Sequence, residues 1–393
     1  MAVGRTILTR KPLAGSTRRG SQPSPSNREP KEGEATESAM PTGTQESNEI
    51  PSSSIIGQKP EVKPVEIKTE DWVNAVAFLA GGEYFVSGDD IGHIRRWRVE
   101  DEMQVGITMD ADDIVCSIAV PQDGKWIVTG TFCGQVMVWD AETHEKVKEF
   151  REYDEDTYVC SVDVSPDGSK IATGADDETA RIWSLGTGEQ LLGPFKHDDN
   201  VAAVKFSPDG HLLATATSWW PEPCIRIYDS RRNVNHLLAD FRVPVIEENN
   251  NGFLAWSSDS RQLFALCDDN NIHCLDVYTG RRLSKWSIHS KYSPKCISVA
   301  SNGTFIAACA DSSVSFWDTT THQQIGSVIH HRAPADSIAI SEAYQLVIGG
   351  CAKITLWNLR DILPSPYCDN VSALALKARH QYALLISDTR DSA

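Results

Sequence analysis

Long apolar runs are missing from this 393-residue sequence. No window approaches the roughly 18 consecutive apolar residues of a membrane helix, and the first residues lack the apolar core of a secretory signal. A soluble protein of the cell interior is therefore expected, in the cytoplasm first and the nucleus second, with no membrane partner. Paired cysteines are missing as well: the ten cysteines are scattered singly, and none forms a Cys-x-x-Cys pair matched to a second pair at zinc spacing. Cys116, Cys160, Cys267 and Cys296 fall in expected strands, where a reduced thiol serves as a small core hydrophobe. Positive charge is in deficit, with 37 Lys and Arg against 54 Asp and Glu and a net charge of −17. Such a chain repels phosphate backbones, which excludes a generic nucleic-acid binder and points to protein partners, Lys- or Arg-rich segments in particular.

Signatures of chemistry are also absent. There is no His-Glu-x-x-His helix, no Gly-x-Ser-x-Gly elbow and no kinase set. Gly186 and Gly188 fall in a turn between strands and not between a strand and a helix, so they are turn glycines and no phosphate cradle. No catalytic residue, metal ligand or cofactor is assigned.

Residues 1–61 are rich in Ser, Thr, Pro, Gly and Glu and poor in aromatic and β-branched residues. Such a segment cannot bury enough apolar surface to offset the entropy of ordering, and a disordered tail is expected. Its start forms a basic arm, with Arg5, Arg10, Lys11, Arg18, Arg19 and Arg28 and no acid before Glu29. Pro12, Gly15 and Gly20 oppose a helical transit presequence, so the arm reads as a docking or regulatory segment. Ser24-Pro25 there has the form of a proline-directed phosphorylation site, and Ile67-Lys68-Thr69-Glu70 that of a SUMO acceptor.

Past residue 70 the chain becomes periodic. Short strands end on Trp97, Trp139, Trp183, Tyr228, a degenerate Leu275, Trp317 and Trp357, at intervals of 42, 44, 45, 47, 42 and 40 residues. That spacing suits a four-stranded propeller blade and no helical solenoid. Within a period, alternating Val159, Val162 and Val164 lead into Ser165-Pro166-Asp167-Gly168 and then Ile171 to Thr173; Val201, Val204 and Phe206 repeat this through Ser207-Pro208-Asp209-Gly210. Alternation broken by Pro-Asp-Gly is a hairpin, because proline presets the turn and glycine tolerates positive φ.

The tripeptides Val138-Trp139-Asp140, Ile182-Trp183-Ser184, Phe316-Trp317-Asp318 and Leu356-Trp357-Asn358, in register over residues 62–360, resemble the WD-repeat family. The resemblance implies an all-β, seven-bladed β-propeller of four-stranded antiparallel blades, followed by an extension at 361–393, partly helical or disordered. It also implies that Val62 to Lys68 closes the ring beside the strand ending at Trp357, with Val371 to Ile386 as the rival. Many relatives brace each blade with His, Ser or Thr, Asp and Trp. Here blade three offers Thr173, Asp177 and Trp183 with Glu155 in place of His; blade four offers His197 and Thr215 with Tyr228 in place of Trp. Blade one has Ile91, and blade two Cys133, at the Asp position. Bracing by polar groups is thus expected to be eroded, leaving apolar packing to carry the ring.

The family implies a non-catalytic interaction scaffold, a monomeric disc acting within a multiprotein assembly. The blades also resemble propellers attached to large fungal signal-transducing ATPases. The alternative is a small-molecule-sensing or catalytic propeller that uses its central channel. Loops that should share one face carry Asp112, Asp113, Asp154, Asp156, Asp198, Asp199, Glu247 and Glu248, an acidic rim suited to basic segments. The blade-four loop adds Trp219 and Trp220 in a proline-stiffened turn, residues favoured at binding hot spots.

Overall fold

The computed structural model describes residues 63–150, 157–217, 224–232, 236–242, 253–267, 269–288, 294–300, 303–331, 334–365 and 367–368. The expected tail at 1–61 and the stretch Val371 to Ile386 lie outside the described residues, which all belong to one compact unit beginning at Pro60. Among them are seven four-stranded antiparallel sheets. Blade one is Val73–Phe78, Tyr84–Asp89, His93–Arg98 and Met109–Asp110, from the inner strand outwards. Blade three, with full-length strands, is Val159–Val164, Lys170–Ala175, Thr179–Ser184 and Gln190–Lys196. The degenerate copy is a true blade, since Leu275 pairs with Leu263 where Trp183 pairs with Ile171.

Each inner strand packs against the next, and Ser337–Ile340 of blade seven packs against Val73–Phe78 of blade one. The ring is closed by Val65–Lys68, paired antiparallel to Lys353–Asn358 with Val65 opposite Leu356 and Lys68 opposite Lys353. Lys353 Nζ reaches Glu66 Oε2 at 3.0 Å across this seam. An outer strand taken from the other end of the repeat leaves no unpaired sheet edge between first and last blades.

Two devices pack neighbouring blades closely. Second strands of blades one, two, three and seven carry Gly88, Gly130, Gly174 and Gly349, and a Cβ at these positions would stand 2.5 to 2.7 Å from an atom of Val115, Val159, Val201 or Val73 on the next inner strand. Glycine here makes room for the neighbour's valine. Inner strands are also zipped by side chains: the amides of Val162, Val204 and Val76 donate to Ser117, Ser161 and Ser337 of the preceding blade at 3.0, 3.2 and 3.1 Å. Apolar packing between blades was expected to carry most of the stability; these bonds add polar ties that a within-blade motif does not reveal.

All ten cysteines are outside disulfides, and Cys160, Cys267 and Cys296 are buried as expected. Cys116 is only half-buried, because burial alternates along its strand and Cys116 stands on the less buried side. The described residues from 359 to 368 stay on the propeller: Leu359–Ile362 forms one helical turn, Leu363 and Cys368 are buried, and Tyr367 Oη donates to Asp318 Oδ2 at 2.7 Å.

Candidate functional site

In an antiparallel blade, the turn joining second and third strands ends up beside the segment leading into the first strand. Backbone bonds tie the two together: the amides of Asp90, Phe132 and Asp176 donate to the carbonyls of Trp72, Ile114 and Tyr158 at 3.0, 3.1 and 3.2 Å. These paired segments make one loop face on successive blades.

Not every acid on that face is available. Asp89 is 1% exposed; its carboxylate is hydrogen-bonded to the Arg95 guanidinium and accepts the His93 amide. It thus performs the bracing that the sequence pattern would have placed at Ile91. Asp177 binds Arg181 at 2.9 Å, Asp269 binds His273 at 3.1 Å, and Asp198 binds Arg226 at 3.0 Å. Arg95, Arg181, Arg226 and His273 all stand two residues before the blade's Trp, Tyr or Leu. A signal for this brace was present in the sequence as a basic residue at that fixed offset.

Of the expected site residues, Asp112 is exposed and holds a positive φ of 58°. Asp113 accepts the Cys133 amide at 2.5 Å, which fastens the loop between blades one and two to the blade-two turn. Asp198 keeps 76% of its side chain exposed despite its Arg226 bond. Asp199 caps the Asn200 amide at 2.7 Å. The structure thus brings Asp112 and Asp113 together and sets Asp198 and Asp199 two blades away. Trp219, Trp220, Asp154, Asp156, Glu247 and Glu248 lie outside the described residues.

Sequence reasoning missed the exposed aromatic and aliphatic groups of this face. Trp72, Ile91 and Phe132 are 42%, 49% and 48% exposed. Phe132 stacks on Tyr158 with ring centres 5.0 Å apart and planes within 1°, and Trp72 Nε1 donates to Asp336 Oδ2 at 2.5 Å. Burial raises the Asp176 carboxyl above the usual carboxylate range.

His197 and His331 are buried. The Nε2 of His197 lies 3.2 Å from Thr215 Oγ1, and burial with the Arg226 charge brings its pKa down to about 3. Burial takes His331 down to about 4. Cys267, Asp269 and His273, and likewise Asp71, Asp89 and His93, bring ligand-type atoms within 4.8 Å of one another. Each group already faces a side-chain cation, Lys285 at 3.6 Å from Asp269 and Arg95 on Asp89, which opposes a metal ion.

The channel encloses about 590 Å³ and is lined chiefly by small and aliphatic side chains such as Ala75, Ala119, Val162, Val204 and Ala255. Its charges are Asp163, Lys205, Asp336 and Glu342. Lys205 and Asp163 pair at 2.7 Å and Asp336 holds Trp72, and no histidine stands among the lining residues.

The family model described as "WD domain, G-beta repeat" matches residues 105–140, 145–184, 189–229 and 280–318. The chain is 26% identical over 179 residues to "U5 small nuclear ribonucleoprotein 40 kDa protein" of Dictyostelium discoideum, covering 44% of this chain and 46% of that protein. It is 29% identical over 115 residues to a component of "Chromatin assembly factor 1" of Schizosaccharomyces pombe, covering 26% of this chain and 22% of that protein. The chain therefore spans less than half the length of either relative.

Proposed function

We propose that this seven-bladed β-propeller, which matches the WD-repeat model over four of its blades, works as a non-catalytic scaffold in a multiprotein assembly, holding a protein partner on its acidic loop face. One observation carries the reading. Apart from the buried Asp89, segments 69–72, 89–92, 110–114, 131–135 and 176–179 of that face contain nine carboxylates and no Lys or Arg, set on a closed ring that holds them rigidly. A surface of one sign attracts Lys- or Arg-rich segments and speeds their encounter, with an effect that salt screens. Both relatives are named as parts of assemblies, a ribonucleoprotein and a chromatin assembly factor. Those names favour a nuclear location over the cytoplasmic one expected from composition. The small and aliphatic channel lining favours a scaffold over the channel-based alternative, and no reaction is assigned.

The proposed contacts are Asp112, Asp113, Asp198 and Asp199, with Trp219, Trp220, Asp154, Asp156, Glu247 and Glu248 completing the rim. Affinity purification with mass spectrometry, comparing wild type with a folded Trp219→Ala, Trp220→Ala variant, is expected to yield a stable partner set that shrinks in the variant. An unchanged set removes the blade-four loop from the site. No partner set at all overturns the scaffold reading.

A further inference from the structure

Exposed apolar side chains on the outer strands, such as Val147, Leu191 and Leu283, stand on separate blades. Trp72, Ile91 and Phe132 are different, because a continuous series of contacts joins them. Trp72 bonds Asp336 of blade seven through its ring, and its amide donates to Asp90 at 3.1 Å. Asp90 adjoins Ile91 and Gly92, and a Cβ on Gly92 would lie 2.8 Å from the Asp113 carbonyl. Asp113 in turn holds the Cys133 amide, next to Phe132 and its stacked partner Tyr158. The result is an arc from blade seven to blade three in which exposed apolar groups alternate with carboxylates. Exposed apolar groups gathered on adjoining, mutually bonded loops differ from scattered single residues, and such grouping marks an interaction surface.

We propose that this arc seats an extended segment of a partner protein that combines Arg or Lys with apolar side chains, an arginine lying against the Phe132–Tyr158 pair. The inference rests on the loop-face reading above and narrows it to one arc and one chemistry of partner. Charge decides the occupant. The carboxylates repel a nucleic-acid backbone, and a second copy of this chain brings a net charge of −17. A guanidinium gains from both features of the arc, since it stacks on aromatic rings and pairs with carboxylates such as Asp113 and Asp112. Apolar side chains of the same segment cover Ile91 and Trp72.

The arc contains its own reporter. Cys133 is the exposed cysteine, while the other nine are buried or half-buried. The full chain is mixed with fluorescein-labelled twelve-residue peptides of mixed Arg and Leu, of Glu and Leu, or of Arg and Ser. Anisotropy reads binding, and iodoacetamide labelling at Cys133, followed by peptide mass spectrometry, reads its place.

The Arg–Leu peptide is expected to bind best and to slow Cys133 labelling. A Phe132→Ser, Ile91→Ser variant is expected to weaken it about tenfold, the scale of a lost hot spot, and Asp112→Asn about threefold. A Leu283→Ser control on blade five should change nothing. Should the double variant not fold, Asp112→Asn and the wild-type footprint still decide. Equal protection by the Glu–Leu or Arg–Ser peptide overturns the inference, as does Arg–Leu binding that leaves Cys133 labelling unchanged. If the Trp219→Ala, Trp220→Ala variant loses the peptide while the arc variants keep it, the loop-face reading survives and the arc fails. If the folded chain binds neither peptide nor partner protein, both fail.

Discussion

Blades three and seven present the same sheet with opposite treatment of one polar atom. In blade three, Trp183 Nε1 donates to Thr173 Oγ1 at 2.9 Å, and the same bond joins Trp97 to Ser87 at 2.8 Å and Trp139 to Thr129 at 3.1 Å in blades one and two. In blade seven the matching second-strand residue is Ile348, and Trp357 Nε1 is buried without a hydrogen-bond partner, as is Thr355 Oγ1. Blade four takes a third course. Its Tyr228 has no indole N–H to offer, and Thr215 instead faces His197. The ring therefore does not need the indole bond in every blade. It needs a large apolar side chain that fills the space between sheets, a role the fully buried Leu275 takes in blade five, and the polar bond adds stability where an acceptor stands opposite.

That comparison can be broken most forcefully at the blade junction. Gly174→Val would drive side-chain atoms into the Val201 carbonyl and Val204, within 3.0 Å of the position a Cβ would take. An expected loss of about 3 kcal/mol, the upper end of overpacking costs, should appear as a lower denaturation midpoint. Thr173→Val keeps the shape but removes the oxygen that accepts the buried Trp183 N–H, for an expected loss of about 2 kcal/mol, read by urea denaturation.

Blade four supplies a pH test. His197 is held neutral, with its pKa lowered from 6.5 to about 3, so the unfolded chain binds the proton more readily than the folded one. Stability is complete above about pH 6.5 and should fall by about 1.4 kcal/mol per pH unit as pH drops towards the folded-state pKa. His197→Gln should flatten the dependence of melting temperature on pH between about 6.5 and 4. The smallest effect is expected in blade seven. Trp357→Phe removes an N–H that pairs with nothing and should cost under about 1 kcal/mol, against a clearly larger cost for Trp183→Phe. Equal costs for the two tryptophans would mean that the indole bond contributes little anywhere in the ring.

Much of the fold was legible because a repeat states its grammar many times. The intervals between Trp97 and Trp357 place seven blades, and Leu275 could be recognised as a blade residue only because its neighbours keep the register. The family resemblance implied Val62 to Lys68 as the closing strand against the rival Val371 to Ile386, and the pairing of Val65 with Leu356 decided for the former. The candidate face was legible only in part. Acids could be counted along the loops, but a count does not separate Asp89, which Arg95 reaches across a tight turn and removes from the surface, from the acids left exposed. Asp112 and Asp113 could not be told from Asp198 and Asp199 without knowing which loops are neighbours. Phe132 and Tyr158 read as unrelated residues 26 positions apart, and Trp72 as the end of a linker.

By itself, the sequence determined the number of blades and their strand order, because alternation and turn chemistry are local and recur in every period. Only the tertiary structure decided which carboxylates remain at the surface, which serine receives the neighbouring blade's amide, and which aromatic groups meet on the loop face. Those outcomes depend on distances between loops of different blades, and the rotation from one blade to the next sets them only once the ring has closed.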